Sequence, residues 1–166
     1  NLVVAIVATV FAGPVTRLVA QAVPTSEDDS TPKYLRREAL DDPALAIKLA
    51  LRETVRISDQ VQVMTELAVR NLSSGKWDPG PIEGREAKTD RLTREVVDYL
   101  AELRRRTHEQ NDATEHLMLV ATELENMGDQ VRRLYRREQR LKKEGIEFSE
   151  QGRAELVATA ELVQER

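Results

Sequence analysis

Residues 117–141 read LMLVATELENMGDQVRRLYRREQRL, and the spacing of their apolar side chains decides the fold. Leu117, Val120, Leu124, Met127, Val131, Leu134 and Leu141 recur at alternating steps of three and four, with Glu138 the single exception on the stripe. A repeat of about 3.5 residues is the seam of helices packed nearly antiparallel. The stretch therefore predicts a long helix, ending near Gly145, that has at least two partners to pack against.

Those partners lie upstream. Leu92, Val96, Leu100 and Leu103, with Tyr99 beside them, share one stripe and predict a helix over about 85–106. A single rod from 85 to 143 would be far longer than globular modules use, so a turn is expected between 104 and 113. Thr107 with Gln110, or Asp112 with Glu115, supplies its capping signal. Residues 73–84, SSGKWDPGPIEG, hold three Gly and two Pro and predict a loop, with Trp77 as a lid over the bundle end. Before it, Asp42 and Pro43 form an N-cap and first-turn pair. The helix they open runs to about Asn71 with Ile47, Leu51, Thr54, Ser58, Val61, Thr65, Ala68 and Leu72 on its inner stripe. Ser149 caps a shorter fourth helix over 150–165, with Leu156, Ala160 and Val163 on one face. The expected fold is an all-α, antiparallel bundle of three to four helices.

Composition agrees. Of 166 residues 33% are charged and 40% hydrophobic, enough contrast to divide a buried face from a wet one, while 4% aromatic argues against a sheet-rich fold. The absence of cysteine removes thiolate nucleophiles, zinc ribbons and disulfide frameworks together. A net charge of −4 gives no general attraction to nucleic acid.

Residues 2–23, LVVAIVATVFAGPVTRLVAQAV, break with all this: 16 of them are Ala, Val, Ile, Leu or Phe, and Arg17 is their one charge. As a helix they would cover ~33 Å, about the thickness of a bilayer's hydrocarbon layer. The reading preferred is the end of a last transmembrane helix, kinked at Gly13 and Pro14; a signal peptide and a buried helix are the alternatives. The first residue is Asn1, so the chain is expected to be the C-terminal piece of a longer protein. Residues 24–43 then form a linker, and Lys33, Arg36 and Arg37 within it place the domain that follows, 44–166, on the cytoplasmic side.

No reaction centre assembles from these residues, so no catalytic residue is assigned and an enzyme is not expected. His108 and His116 sit in no metalloprotease or hydrolase pattern and read as solvated helix histidines. Two acidic pairs stand out. Glu86 with Asp90, and Glu125 with Asp129, each place two carboxylates ~5–6 Å apart on one helix face, where like charges repel. A hard cation between such pairs turns repulsion into ligation, whereas Arg85, Lys88, Arg132 and Arg133 can neutralise them without one. Helical geometry points Glu125 and Asp129 away from the leucine stripe, so an ion would lie on the surface of the bundle. The basic run Arg132, Arg133, Arg136, Arg137, Arg140, Lys142 and Lys143 is either a solvated face or a contact with an anionic membrane surface; base-stacking aromatics are missing, so nucleic acid is not expected.

ATELENMGDQVRRLY (121–135) resembles the signature helix of PhoU domains, whose core is Leu-Glu-x-aliphatic-Gly-Asp, here Leu124 to Asp129. EAKTDRLTREVVDYL is similar to the preceding PhoU helix, with its acidic pair at Glu86 and Asp90, and GIEFSEQGRAEL (145–156) to the helix start that follows. The junction PKYLRREALDDPALAIKLALRETVRISDQV and the apolar segment ahead of it resemble bacterial Na/Pi cotransporter family proteins. The resemblance implies sodium-dependent phosphate transport by the whole protein in the bacterial inner membrane, with its transport site upstream of this chain. Residues 24–166 would be a cytoplasmic regulatory appendage. Its partners would be its own membrane domain, the lipid bilayer, and a second copy or a regulatory protein. The acidic pairs Glu86, Asp90, Glu125 and Asp129 would then hold iron, zinc, magnesium or a similar ion. A full PhoU protein has two three-helix repeats, and this chain has one.

Overall fold

A computed structural model describes residues 31–74, 80–107 and 112–146, together with parts of 149–158. Three long helices pack against one another: α1 (Pro43–Ser74), α2 (Gly80–Thr107) and α3 (Asp112–Lys143). No strand occurs among the described residues. Residues 150–152, 154–155 and 157–158 are helical as well. The apolar stretch 2–23, Trp77 and His108 lie outside the described residues; among those described, no helix is long and apolar enough to cross a membrane.

Both predicted helix ends on the clearest signals are present. The Asp42 carboxylate accepts from the Leu45 amide at 3.1 Å, satisfying one of the free N–H groups of the first turn of α1. Gly145 closes α3 with φ of +72°, and two bonds mark a Schellman end: the Gly145 amide donates to the Lys142 carbonyl (3.1 Å) and the Ile146 amide to that of Leu141 (2.9 Å). A side chain is disfavoured in that left-handed conformation, which accounts for the glycine.

Elsewhere the structure departs from the periodicity. α2 begins at Gly80, so the end of the predicted 73–84 loop is helical. Proline is tolerated in a first turn, where its missing N–H has no partner to lose, and Ile82, fully buried, anchors that turn. The seam of α3 is rotated from the predicted stripe. Leu117, Ala121, Leu124, Gly128, Tyr135 and Glu138 face inward, while Leu134 is 43% exposed. On α1, Leu51 likewise points outward and the buried face runs through Ala46, Ala50, Ile57, Val61, Met64 and Ala68. Small residues are selected because the helices approach closely: the Thr93 hydroxyl on α2 reaches the Ala121 carbonyl of α3 at 3.4 Å. The α2 stripe Leu92, Val96, Leu100 and Leu103 with Tyr99 is buried as expected.

The buried side chains form two clusters. A large one joins Leu40, Ile57, Val61, Leu92, Leu100 and Leu124 among thirteen residues, and a smaller one joins Met64, Ala68, Ile82 and Tyr135 at the end where α1 leads into α2.

The described part of the predicted linker, 31–42, is a strap docked on the bundle. It contains a short 3-10 turn, Arg37–Asp41, that buries Ala39 and Leu40. The fully buried Glu53 carboxylate accepts from the backbone amides of Lys33 (3.0 Å) and Tyr34 (2.9 Å) and pairs with Arg56, whose guanidinium also donates to the Thr31 carbonyl. The Tyr99 hydroxyl donates to the Arg36 carbonyl at 3.0 Å, and Arg106 pairs with Asp41. Going back along the strap from Asp41 to Thr31, its partners run from Arg106 to Tyr99 on α2 and from Glu53 to Arg56 on α1. Both progressions lead toward the α1–α2 end of the bundle.

Candidate functional site

The antiparallel packing of α2 on α3 sets the register of the charged residues along their shared groove. Arg104 meets Glu115 at one end (3.3 Å); Arg132 meets Glu86 (3.2 Å) and Arg136 meets Glu83 (3.7 Å) toward the other. Between them the two acidic pairs converge. Glu86 and Asp90 come from α2, Glu125 and Asp129 from α3, and all four are half-buried. The sequence places each pair on one helix face; the fold places the faces together, at the rim of the groove rather than on open surface.

Glu125 reports the crowding. Its carboxyl titrates above the usual glutamate range, first because burial disfavours the anion and then because Asp90, Asp129 and Glu86 all repel it, with only Arg132 opposing. Asp129 is pushed the other way. A hydrogen bond from Arg132 holds its carboxyl below the usual aspartate range, and Arg133, 2.7 Å away, adds to the effect. The Arg132 guanidinium is correspondingly harder to deprotonate, chiefly through that bond to Asp129. Its Nε lies within ion-pair distance of Glu86 without an aligned hydrogen bond. Asp90 is held from its own helix by Arg94 at 2.6 Å. Arg85, adjacent in sequence to the first pair, donates instead to Gln60 of α1 at 2.6 Å.

Arg132 thus spans the groove, bonding to Asp129 on its own helix and balancing Glu86 on the other. Whether a metal ion suits this donor set follows from the same contacts. Hard cations need several oxygens directed at one point, and among the described residues no three Asp, Glu or His side chains are gathered in that way. In this arrangement the arginine supplies the positive charge that an ion would bring, and the four carboxylates do not form an ion cage around it.

Other sequence candidates are placed as follows. His116 is exposed, its Nδ1 2.7 Å from the Asp112 carbonyl of its own helix. Arg133 and Arg136 are exposed and engaged with acids; Arg137 and Arg140 are exposed and make no ion pair among the described residues. A cleft of about 580 Å³ opens on the opposite side of α2, between the strap and the helix, lined by Leu35, Arg37, Tyr99, Glu102 and Arg106 among others. Within it Glu102 pairs with both Arg105 and Arg106.

Glu53 is the functional-looking residue that periodicity alone passes over. A carboxylate between Ala50 and Ile57 on an inward face was the available signal, because a buried charge requires partners. No protein-family model, curated protein or solved structure matches the chain.

Proposed function

We propose that this chain is the PhoU-like regulatory domain of a sodium:phosphate symporter, acting by contact with its own membrane domain rather than by catalysis. The reading rests on the Leu124–Asp129 motif and the acidic pair upstream of it. The observation that carries it is the meeting of Glu86 and Asp90 with Glu125 and Asp129 in one groove, although some 35 residues of sequence separate the pairs. Such a convergence sets like charges against one another at a single surface groove, where a partner or an ion can alter their balance. In the proposal residues 2–23 complete the last membrane helix and the domain faces the cytoplasm.

The test is phosphate uptake by the whole transporter, with and without residues 44–166, across a range of phosphate supply. Removal is expected to change how uptake responds to supply. Identical uptake curves would refute the regulatory role.

The bridging arginine favours a second reading, a helical scaffold whose groove takes no ligand. Titration of the domain with iron, zinc and magnesium, repeated on Glu125→Gln and Asp129→Asn, separates the two. Binding lost in both variants supports an ion site made when Arg132 swings out, and no binding in any form supports the scaffold.

A further inference from the structure

The far half of α3 carries a surface that the acidic groove does not use. Beyond Arg133 and Arg136, which pair with acids, the exposed cations are Arg137, Arg140, Lys142 and Lys143, with exposed Leu134 and half-buried Leu141 among them and Ile146 following. Leu134 is 43% and Ile146 53% exposed, two of the five large hydrophobic side chains that stand exposed among the described residues. Arg137, Arg140 and Lys143 are exposed and pair with no carboxylate among the described residues; Glu144 is the acid that follows them. Exposed leucines elsewhere in the bundle stand alone, whereas here aliphatic side chains and cations without a carboxylate partner among the described residues share one stretch of helix.

We infer that this face docks on an anionic lipid bilayer surface. Two separate observations choose that occupant. Cations flanking exposed aliphatic side chains match a headgroup layer, where the charges meet phosphate and the aliphatic groups enter the acyl boundary. The strap supplies the second. From Asp41 back to Thr31 it runs toward the α1–α2 end of the bundle, and α3 finishes at that same end, as the pairs of Arg132 with Glu86 and Arg136 with Glu83 require. The apolar stretch 2–23 precedes the strap in sequence, and the described strap leads toward the end of the bundle that carries the basic face. Single-stranded nucleic acid fits less well, because base stacking needs exposed aromatics and Tyr135, the aromatic residue of this helix, is fully buried.

The inference rests on the membrane reading proposed above but fails or holds by a different measurement. Because the chain has no cysteine, Leu134→Cys offers one labelling site for an environment-sensitive fluorophore on the full chain. Vesicles of phosphatidylcholine with about a third phosphatidylglycerol are expected to shift the probe to an apolar signal, and pure phosphatidylcholine vesicles are not. About 0.5 M salt should reverse the shift, since screening then acts within a few ångströms. Each cation removed should weaken docking about fivefold, so Arg137→Gln, Arg140→Gln and Lys143→Gln together weaken it roughly a hundredfold. Lysine in place of both arginines should preserve it.

A local probe makes the result independent of whether 2–23 inserts. An equal response to neutral and anionic vesicles, a response that salt leaves intact, or a shift produced by RNA or an acidic peptide but not by vesicles would each overturn the inference. Anionic-lipid docking, with phosphate uptake unchanged on removal of residues 44–166, would refute the regulatory role while leaving the lipid surface standing.

Discussion

Glu125 sits where three other carboxylates oppose its charge. Its folded-state carboxyl titrates above the unfolded glutamate value, so the folded protein holds this proton more tightly than the unfolded one. The resulting cost to stability is absent below the ordinary glutamate range, grows as pH rises through the raised folded value, and is fully present at neutral pH. Glu125→Gln is therefore expected to stabilise the metal-free domain near pH 7.5, on the order of 0.5–1 kcal/mol if each like-charged neighbour costs a few tenths. At pH 4 it should do nothing. Urea midpoints at the two pH values check this, and a destabilised variant at pH 7.5 would mean that favourable contacts of the Glu125 carboxylate, such as that with Arg132, outweigh the repulsion. Asp129 has the opposite sign. Its lowered carboxyl contributes stability that is present above the ordinary aspartate range and lost as pH falls through the folded value. One residue before it, Gly128 looks indispensable in the motif but is not sterically so. A methyl group there would lie 3.7 Å from Met64 and Val61, ordinary contact distance. Gly128→Ala should hold or raise stability by up to about 1 kcal/mol through helix propensity, as a thermal melt would register. Any requirement for glycine would then have to come from function.

At the scale of elements, the first residues of the strap depend on one side chain. Glu53 accepts from two backbone amides twenty positions earlier and meets Arg56 beside it. Removing a buried acceptor leaves its donors unsatisfied at about 1–3 kcal/mol, so Glu53→Ala should release residues 31–35, while residues 36–41, held by Tyr99, Arg106 and buried Leu40, and α1, which gains a good helix former, persist. Hydrogen exchange at the Lys33 and Tyr34 amides is expected to speed up sharply, with little change at Val96 or Leu100. Equal acceleration everywhere would show that the strap belongs to the core rather than lying on it. This element also shows where sequence reading stops. Asp42–Pro43 and Gly145 were legible because a cap is a local arrangement of a few residues. The strap has no apolar period, and its order comes from partners remote in the chain. The start of α2 was missed for a related reason: Gly80 and Pro81 resemble a loop until buried Ile82 fixes the turn. On α3 the leucines suggested the seam, yet Ala121 and Gly128 lie in it and Leu134 does not, because close helix approach favours small side chains that a hydrophobicity pattern undervalues. Each acidic pair was visible on its own helix; that the two meet depended on the register of α2 against α3.

Across the whole molecule, stability is unevenly divided. Among the described residues, thirteen buried side chains hold the end of the bundle where the strap docks, whereas four hold the end beneath the basic face of α3. Fewer buried apolar contacts mean a lower free energy of local opening. Ile82→Ala, which empties a fully buried position in the smaller cluster, should cost about 2–5 kcal/mol. Because that loss falls on the weaker end, the effect should be graded. Amides over 82–88 and 131–143 should lose protection first, and those of Leu92, Val96 and Leu100 should keep most of theirs until global unfolding. Uniform loss of protection would instead make the three helices one cooperative unit, with the smaller cluster no weaker than the larger. The same gradient bears on lipid docking, since a face carried on the looser end has more ordering left to gain. Anionic vesicles should therefore raise protection over 131–143 in the native chain by more than over 92–103, and the difference should disappear when Arg137, Arg140 and Lys143 are replaced by glutamine.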